Sequence, residues 1–133
     1  MSTWRIGDLA KRTGMSADTL RYYEKIDLLP PPMRDRGGQR RYGSADLMRL
    51  RFIRRAQGMN FSLGEIRGLL RLRERPQAGR AEARRRAAEK LAAVEAQIKS
   101  LCLLRNELRL LLNLCASAKD GCPILESMDG TRP

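Results

Sequence analysis

The 133-residue sequence has no histidine, three cysteines and only 5% aromatic residues, and each shortage excludes something. Without histidine, and with no acid-base dyad or phosphate-binding loop in view, the chain is not expected to be an enzyme. An odd number of cysteines with no signal-peptide pattern argues against a disulfide framework and for a reducing cytoplasm, where any cysteine chemistry is thiolate chemistry. The Leu clusters are broken by Arg, Lys or Glu within a few residues, so no segment reads as spanning a membrane. With so few aromatics, a core must come from Leu, Ile, Ala and Met on helices, which makes the expected fold mostly α.

Acidic residues are also scarce. There are 27 Lys and Arg against 15 Asp and Glu, a formal charge of +12. Such a balance in a small protein points to a polyanion, of which nucleic acid is the commonest. The excess is concentrated: residues 1–77 hold 17 basic and 8 acidic residues, and the remainder 10 and 7.

The first half has the order of a DNA-binding head. Ile6, Leu9 and Ala10 recur at helical spacing and Gly14 stops the helix. Ser16 is an N-cap opening a second helix that runs to about Ile26, before the prolines. Two short helices joined by a Gly-containing turn make a helix-turn-helix pattern, which sends the start of the second helix into the major groove; Ala17, Asp18, Thr19 and Arg21 are then candidates for base or phosphate contact. Gly37-Gly38 between two basic runs reads as a hairpin wing, with Arg36, Arg40, Arg41 and Tyr42 at its tip and returning strand. Ser44 is expected to cap a third helix carrying Arg49, Arg51, Arg54 and Arg55, suited to phosphates. A fourth helix should bury Ile66, Leu69, Leu70 and Leu72 and leave its arginines at the surface.

The second half reads as a rod. No proline occurs between Pro76 and Pro123, and Ala87, Leu91, Val94, Ile98, Leu101, Arg105, Leu108, Leu112 and Cys115 follow one another in steps of four and three. Eight of these nine are apolar or Cys, the seam expected of a coiled coil pairing two copies of the chain. Arg105 interrupts it, by snorkelling or by pairing with an acid such as Glu107 of the other copy. Cys115 ends the seam and Cys122 follows a six-residue loop. Two thiolates there suit a soft ion: Cu(I), Ag(I) or Hg(II), or with further ligands Cd(II), Pb(II) or Zn(II). A thiol-based redox or electrophile switch uses the same pair. Cys102, beside the seam, reads as a small apolar residue.

The segments LRYYEKIDLLPP, RRY and RFIRRAQGMNFSLGEI, in this order within residues 4–76, resemble the N-terminal domain of the MerR family of transcription regulators. The resemblance implies a winged helix-turn-helix head over 1–76, a long antiparallel coiled-coil dimerisation helix over 77–115, and a metal-binding loop and tail over 116–133. It implies Arg21, Tyr22 and Tyr23 on the recognition helix, Arg40 and Tyr42 in the wing, and Arg54 on the third helix as DNA-contact positions, with Cys115 and Cys122 as metal ligands. It further implies a homodimer on a palindromic promoter, distorting double-stranded DNA so that RNA polymerase can use it when metal is bound. The family's divalent-metal sensors usually carry a third cysteine near the start of the rod, where this chain has about Arg80 and where the copper branch has serine. Two thiolates around a monovalent ion keep one negative charge, so Cu(I) or Ag(I) is favoured if Arg80 approaches the site, whereas the six-residue loop is closer to the cadmium and lead sensors, and the ion stays open between them.

Overall fold

A computed structural model describes residues 3–130, which contain six helices and one hairpin: α1 (Ile6–Thr13), α2 (Ala17–Lys25), β1 (Met33–Arg34), β2 (Arg40–Arg41), α3 (Ser44–Gly58), α4 (Leu63–Arg73), α5 (Pro76–Ser117) and α6 (Pro123–Met128). The chain divides into two compact units, one up to Arg84 and one from Arg85. The division falls inside α5, past the head-to-rod boundary expected at residues 76–77.

In the first unit several helix ends follow directly from their residues. Gly14 closes α1 in the left-handed region (φ 72°), its N–H donating to the Ala10 carbonyl at 2.8 Å. A Cβ at Gly14 would also lie 2.9 Å from Arg54 Nη1, so two requirements select glycine here. Ser16 Oγ accepts the Thr19 N–H at 3.1 Å and opens α2. Ser62 and Glu65 form a reciprocal capping box at α4. For α3 the cap is Gly43 rather than the expected Ser44: Gly43 is extended, and its N–H donates to the Asp46 carboxylate at 2.9 Å, an ionised acceptor that a hydroxyl one residue later does not match.

The helices bury one cluster. Leu9, Leu20, Leu28, Leu29, Leu50, Ile53, Ile66 and Leu70 are all at most 2% exposed, and α3 packs against both α1 and α4. After α2 the chain doubles back through Asp27 (φ 60°), and the N–H groups of Leu28 and Leu29 both donate to the Tyr23 carbonyl. The carbonyls this turn leaves over are claimed by arginines: Arg49 Nε donates to Leu28 at 2.7 Å, and Arg67 donates to Ile26 and Asp27. Thus Arg49, expected among phosphate contacts, and Arg67, expected at the surface, both work inward. A helix C-terminus inside a small domain needs donors, and guanidinium supplies several.

The hairpin pairs Met33 with Arg41 and Arg34 with Arg40, and Trp4 bridges to Tyr42 beyond it. Asp35 Oδ1 accepts the N–H groups of Gly37 and Gln39, each at 3.0 Å, while Gly38 takes φ 77°. Arg34 Nη1 then donates to the Gly38 carbonyl at 2.7 Å and braces the turn. The wing is fastened to α2 by Glu24. One of its oxygens accepts the Tyr42 hydroxyl, and the other lies 3.1 Å from Arg40 Nε. Burial first, and then this hydrogen bond, hold the Tyr42 phenol well above its ordinary pKa of about 10. The folded head therefore favours neutral Tyr42, a contribution complete below pH ~10 and lost as pH rises through the folded value. Glu24→Ala, which leaves the Tyr42 hydroxyl without its acceptor, is expected to cost the head about 2 kcal/mol in urea denaturation at pH 7.

In the second unit, the long helix exposes a row of large apolar side chains, including Leu91, Ile98, Leu101, Leu108 and Leu112. The chain leaves α5 after Ser117 and turns through Gly121 (φ 76°). α6 then starts at the buried Pro123, with Cys122 as its N-cap.

Candidate DNA-reading face and thiol loop

A helix-turn-helix presents the exposed side of its second helix to a groove. On α2 that side is occupied by Asp18, Arg21 and Tyr22, all exposed, with Ala17 and Thr19 half-buried beside them. The Ser16 and Thr19 hydroxyls share a hydrogen bond of 2.8 Å, so Thr19 is held by the cap. Arg21 Nη1 donates to Asp18 Oδ1 at 3.0 Å. Tyr23 does not belong to this side. It is 4% exposed and its hydroxyl accepts from Gln57 Nε2 at 3.2 Å, so its expected place at DNA is corrected to one in the core. Three positions separate it from Leu20, also buried, and this is the spacing of one helix face.

The wing gives a similar division. Arg36 is exposed at the tip and Arg40 is half-buried on the returning strand. Tyr42 is fully buried, bonded to Glu24, and is likewise corrected from a DNA position to a core one. The trans-strand bridge to Trp4 and the strand's alternation turn it inward. Between the wing and the start of α1 lies an open groove lined by Arg5, Arg34 and Arg40. Two of these arginines were not singled out from the sequence, because the groove joins residues about thirty positions apart.

On α3, Arg51, Arg54 and Arg55 line a second open groove with Gly58 and Met59. Arg54 Nη1 donates to the Thr13 carbonyl at 3.0 Å, which fixes one arm of the guanidinium at the end of α1 and leaves its other N–H donors for a phosphate. Arg54→Ala is expected to weaken binding to duplex DNA at every sequence and to lower the slope of log K against log salt by about 1. Fluorescence anisotropy over a salt series measures both, and an unchanged slope would remove Arg54 from the phosphate contacts.

The thiols lie in the second unit. Cys115 is exposed in the last turns of α5, Cys122 is half-buried before α6, and both are free, as is the half-buried Cys102. No group of three or more His, Cys, Asp or Glu side chains able to hold a metal assembles among the described residues. Cys115 and Cys122 stand on either side of the short turn between α5 and α6, and thiolates as a class suit soft ions rather than hard cations. No helix of the described residues is long and apolar enough to cross a membrane.

Comparison with known proteins bears on both regions. The family pattern described as "MerR HTH family regulatory protein" matches residues 4–72, and that described as "MerR, DNA binding" matches residues 47–111. The HTH-type transcriptional regulator CueR of Escherichia coli O157:H7 is 38% identical over 126 residues, covering 94% of this chain and 93% of its own length. Among solved structures, the transcription regulator PbrR691 from Ralstonia metallidurans CH34 in complex with lead(II) is 40% identical with a TM-score of 0.78, over 93% of this chain and 98% of that one. The regulator MerR from Bacillus megaterium MB1 in complex with mercury(II) is 32% identical with a TM-score of 0.72, over 94% and 98%.

Proposed function

Because the chain belongs to the MerR family of DNA-binding transcription regulators, we propose that it is a metal-responsive member, binding a palindromic promoter as a homodimer and switching transcription when a soft ion occupies its C-terminal loop. The observation that carries this reading is the pairing, in one short chain, of a winged helix-turn-helix head with two free thiols bracketing the loop that ends α5. Cys115 and Cys122 are the ligands. Cu(I), Ag(I), Hg(II), Cd(II) and Pb(II) are the ions to compare, and the lead and mercury complexes of the two similar regulators support a thiophilic choice. A bound ion supplies a link between the end of α5 and the start of α6.

The chain's own residues do the rest. Arg54, Arg36 and Arg40 hold phosphates and set the register of the head, while Arg21 and Tyr22 face the bases. The exposed apolar row of α5 pairs with the same row of a second copy, antiparallel, so that two heads meet two half-sites on one face of the duplex. Distortion of the promoter then differs between the metal-free and metal-bound dimers, as any switch requires, and RNA polymerase reads the difference.

The test is an anaerobic competition titration of reduced protein with Cu(I), Hg(II), Cd(II), Pb(II) and Zn(II), followed by single-round transcription from a promoter fragment the protein binds. One ion binding tightly at one equivalent per loop and changing transcript yield is the expected result. Tight duplex binding with indifference to every ion would leave a DNA-binding regulator and discard the metal switch.

A further inference from the structure

The α2 face carries one acidic side chain amid a strongly basic head, and its position is informative. Asp18 is 94% exposed, has no packing role, and receives the guanidinium of Arg21 at 3.0 Å one turn along the helix. Arg21 is itself 51% exposed, so neither partner is held by burial. In water an exposed pair of this kind adds little stability, and a carboxylate facing DNA repels phosphate. The pair therefore works against general affinity. What it can supply is orientation, because a guanidinium with one N–H engaged keeps an ordered edge of parallel donors, the geometry that matches O6 and N7 of guanine.

We propose that Asp18 is a specificity-determining residue: it presets Arg21 as a guanine reader and keeps that arginine from swinging to the backbone. The proposal rests on α2 being the base-reading helix of a DNA-bound head. Biasing the side chain towards this orientation before encounter lowers the ordering cost of the base contact, and the same carboxylate penalises the competing phosphate contact, so discrimination rises on both counts. Affinity for arbitrary duplex is sacrificed for preference at one base pair in each half-site.

The test is selection from a duplex library with randomised half-sites, followed by anisotropy titration of the best site and its single-base variants. The proteins are wild type, Asp18→Ala, Asp18→Glu and Arg21→Lys, and each is checked by circular dichroism melting. Wild type should prefer guanine at one position per half-site by tenfold or more. Asp18→Ala should lose most of that preference while binding random duplex as well as or better than wild type, Arg21→Lys should lose it too, and Asp18→Glu should keep part of it. A guanine preference that survives Asp18→Ala unchanged overturns the proposal even if DNA binding is intact. Absence of binding to any duplex by the wild-type protein instead overturns the reading beneath it. A purely structural role at the first turn of α2 would move the melting temperature and overall affinity of Asp18→Ala together, with the base preference untouched, and that too overturns the proposal.

Discussion

Replacing Cys115 or Cys122 by serine is expected to abolish tight binding of the preferred soft ion, whereas Cys102→Ser leaves it within a few-fold of wild type. With two sulfurs on the loop, loss of one removes half of the donor set. Disturbing only the groups that orient metal ligands already costs roughly 10–100-fold in affinity, and loss of a ligand should exceed that range. Serine preserves size while exchanging a soft donor for a hard one, so the measurement isolates donor chemistry. Competition titration against a chromophoric chelator under anaerobic conditions gives the constants. Equal losses with all three substitutions would instead point to a structural effect, and binding that survives both loop substitutions would move the metal elsewhere. The same proteins separate the redox alternative, in which peroxide consumes two thiols reversibly and alters operator binding in the absence of any ion.

The second large effect concerns the long helix. Leu101 is 63% exposed and Leu108 46%, with Leu104 and Leu112 close by on the same turns. Leu101→Glu together with Leu108→Glu should convert the dimer to monomer in sedimentation velocity, since two carboxylates per chain would have to be buried at the pairing face without partners. Binding to a two-half-site duplex should fall by about 10²–10⁴-fold, the advantage that linkage of two heads provides. The head should still melt cooperatively, because neither leucine belongs to the buried cluster formed by α1–α4. A monomer that retains full affinity would show that one head suffices.

Much of the head could be read from its sequence because its signals are local. Gly14, Ser16 and the prolines after α2 declare helix ends within a few residues of where they act, and the Gly37-Gly38 pair declares the hairpin. The long helix was legible for the same reason: its composition and its steps of three and four need no tertiary partner to be seen. What escaped was the use of polar groups across distance. Glu24 meets Tyr42 at a separation of 18 residues, Arg49 meets Leu28 at 21 and Arg67 meets Ile26 at 41, and no pattern in the sequence distinguishes these side chains from solvent-facing neighbours. Tyr23 and Tyr42 erred in the opposite direction. A tyrosine offers both a ring for a core and a hydroxyl for a phosphate, and only the fold shows which end is used.

The twofold use of Glu24 also bears on engineering of this scaffold. One of its oxygens accepts the Tyr42 hydroxyl and the other forms an ion pair with Arg40, both from the wing, while its backbone belongs to α2. A hairpin transplanted from another protein to change target preference would arrive without a matching acceptor, and a recognition helix transplanted alone would leave Tyr42 and Arg40 unserved. The exchangeable cassette is therefore the span from Ser16 through Tyr42, moved as one piece.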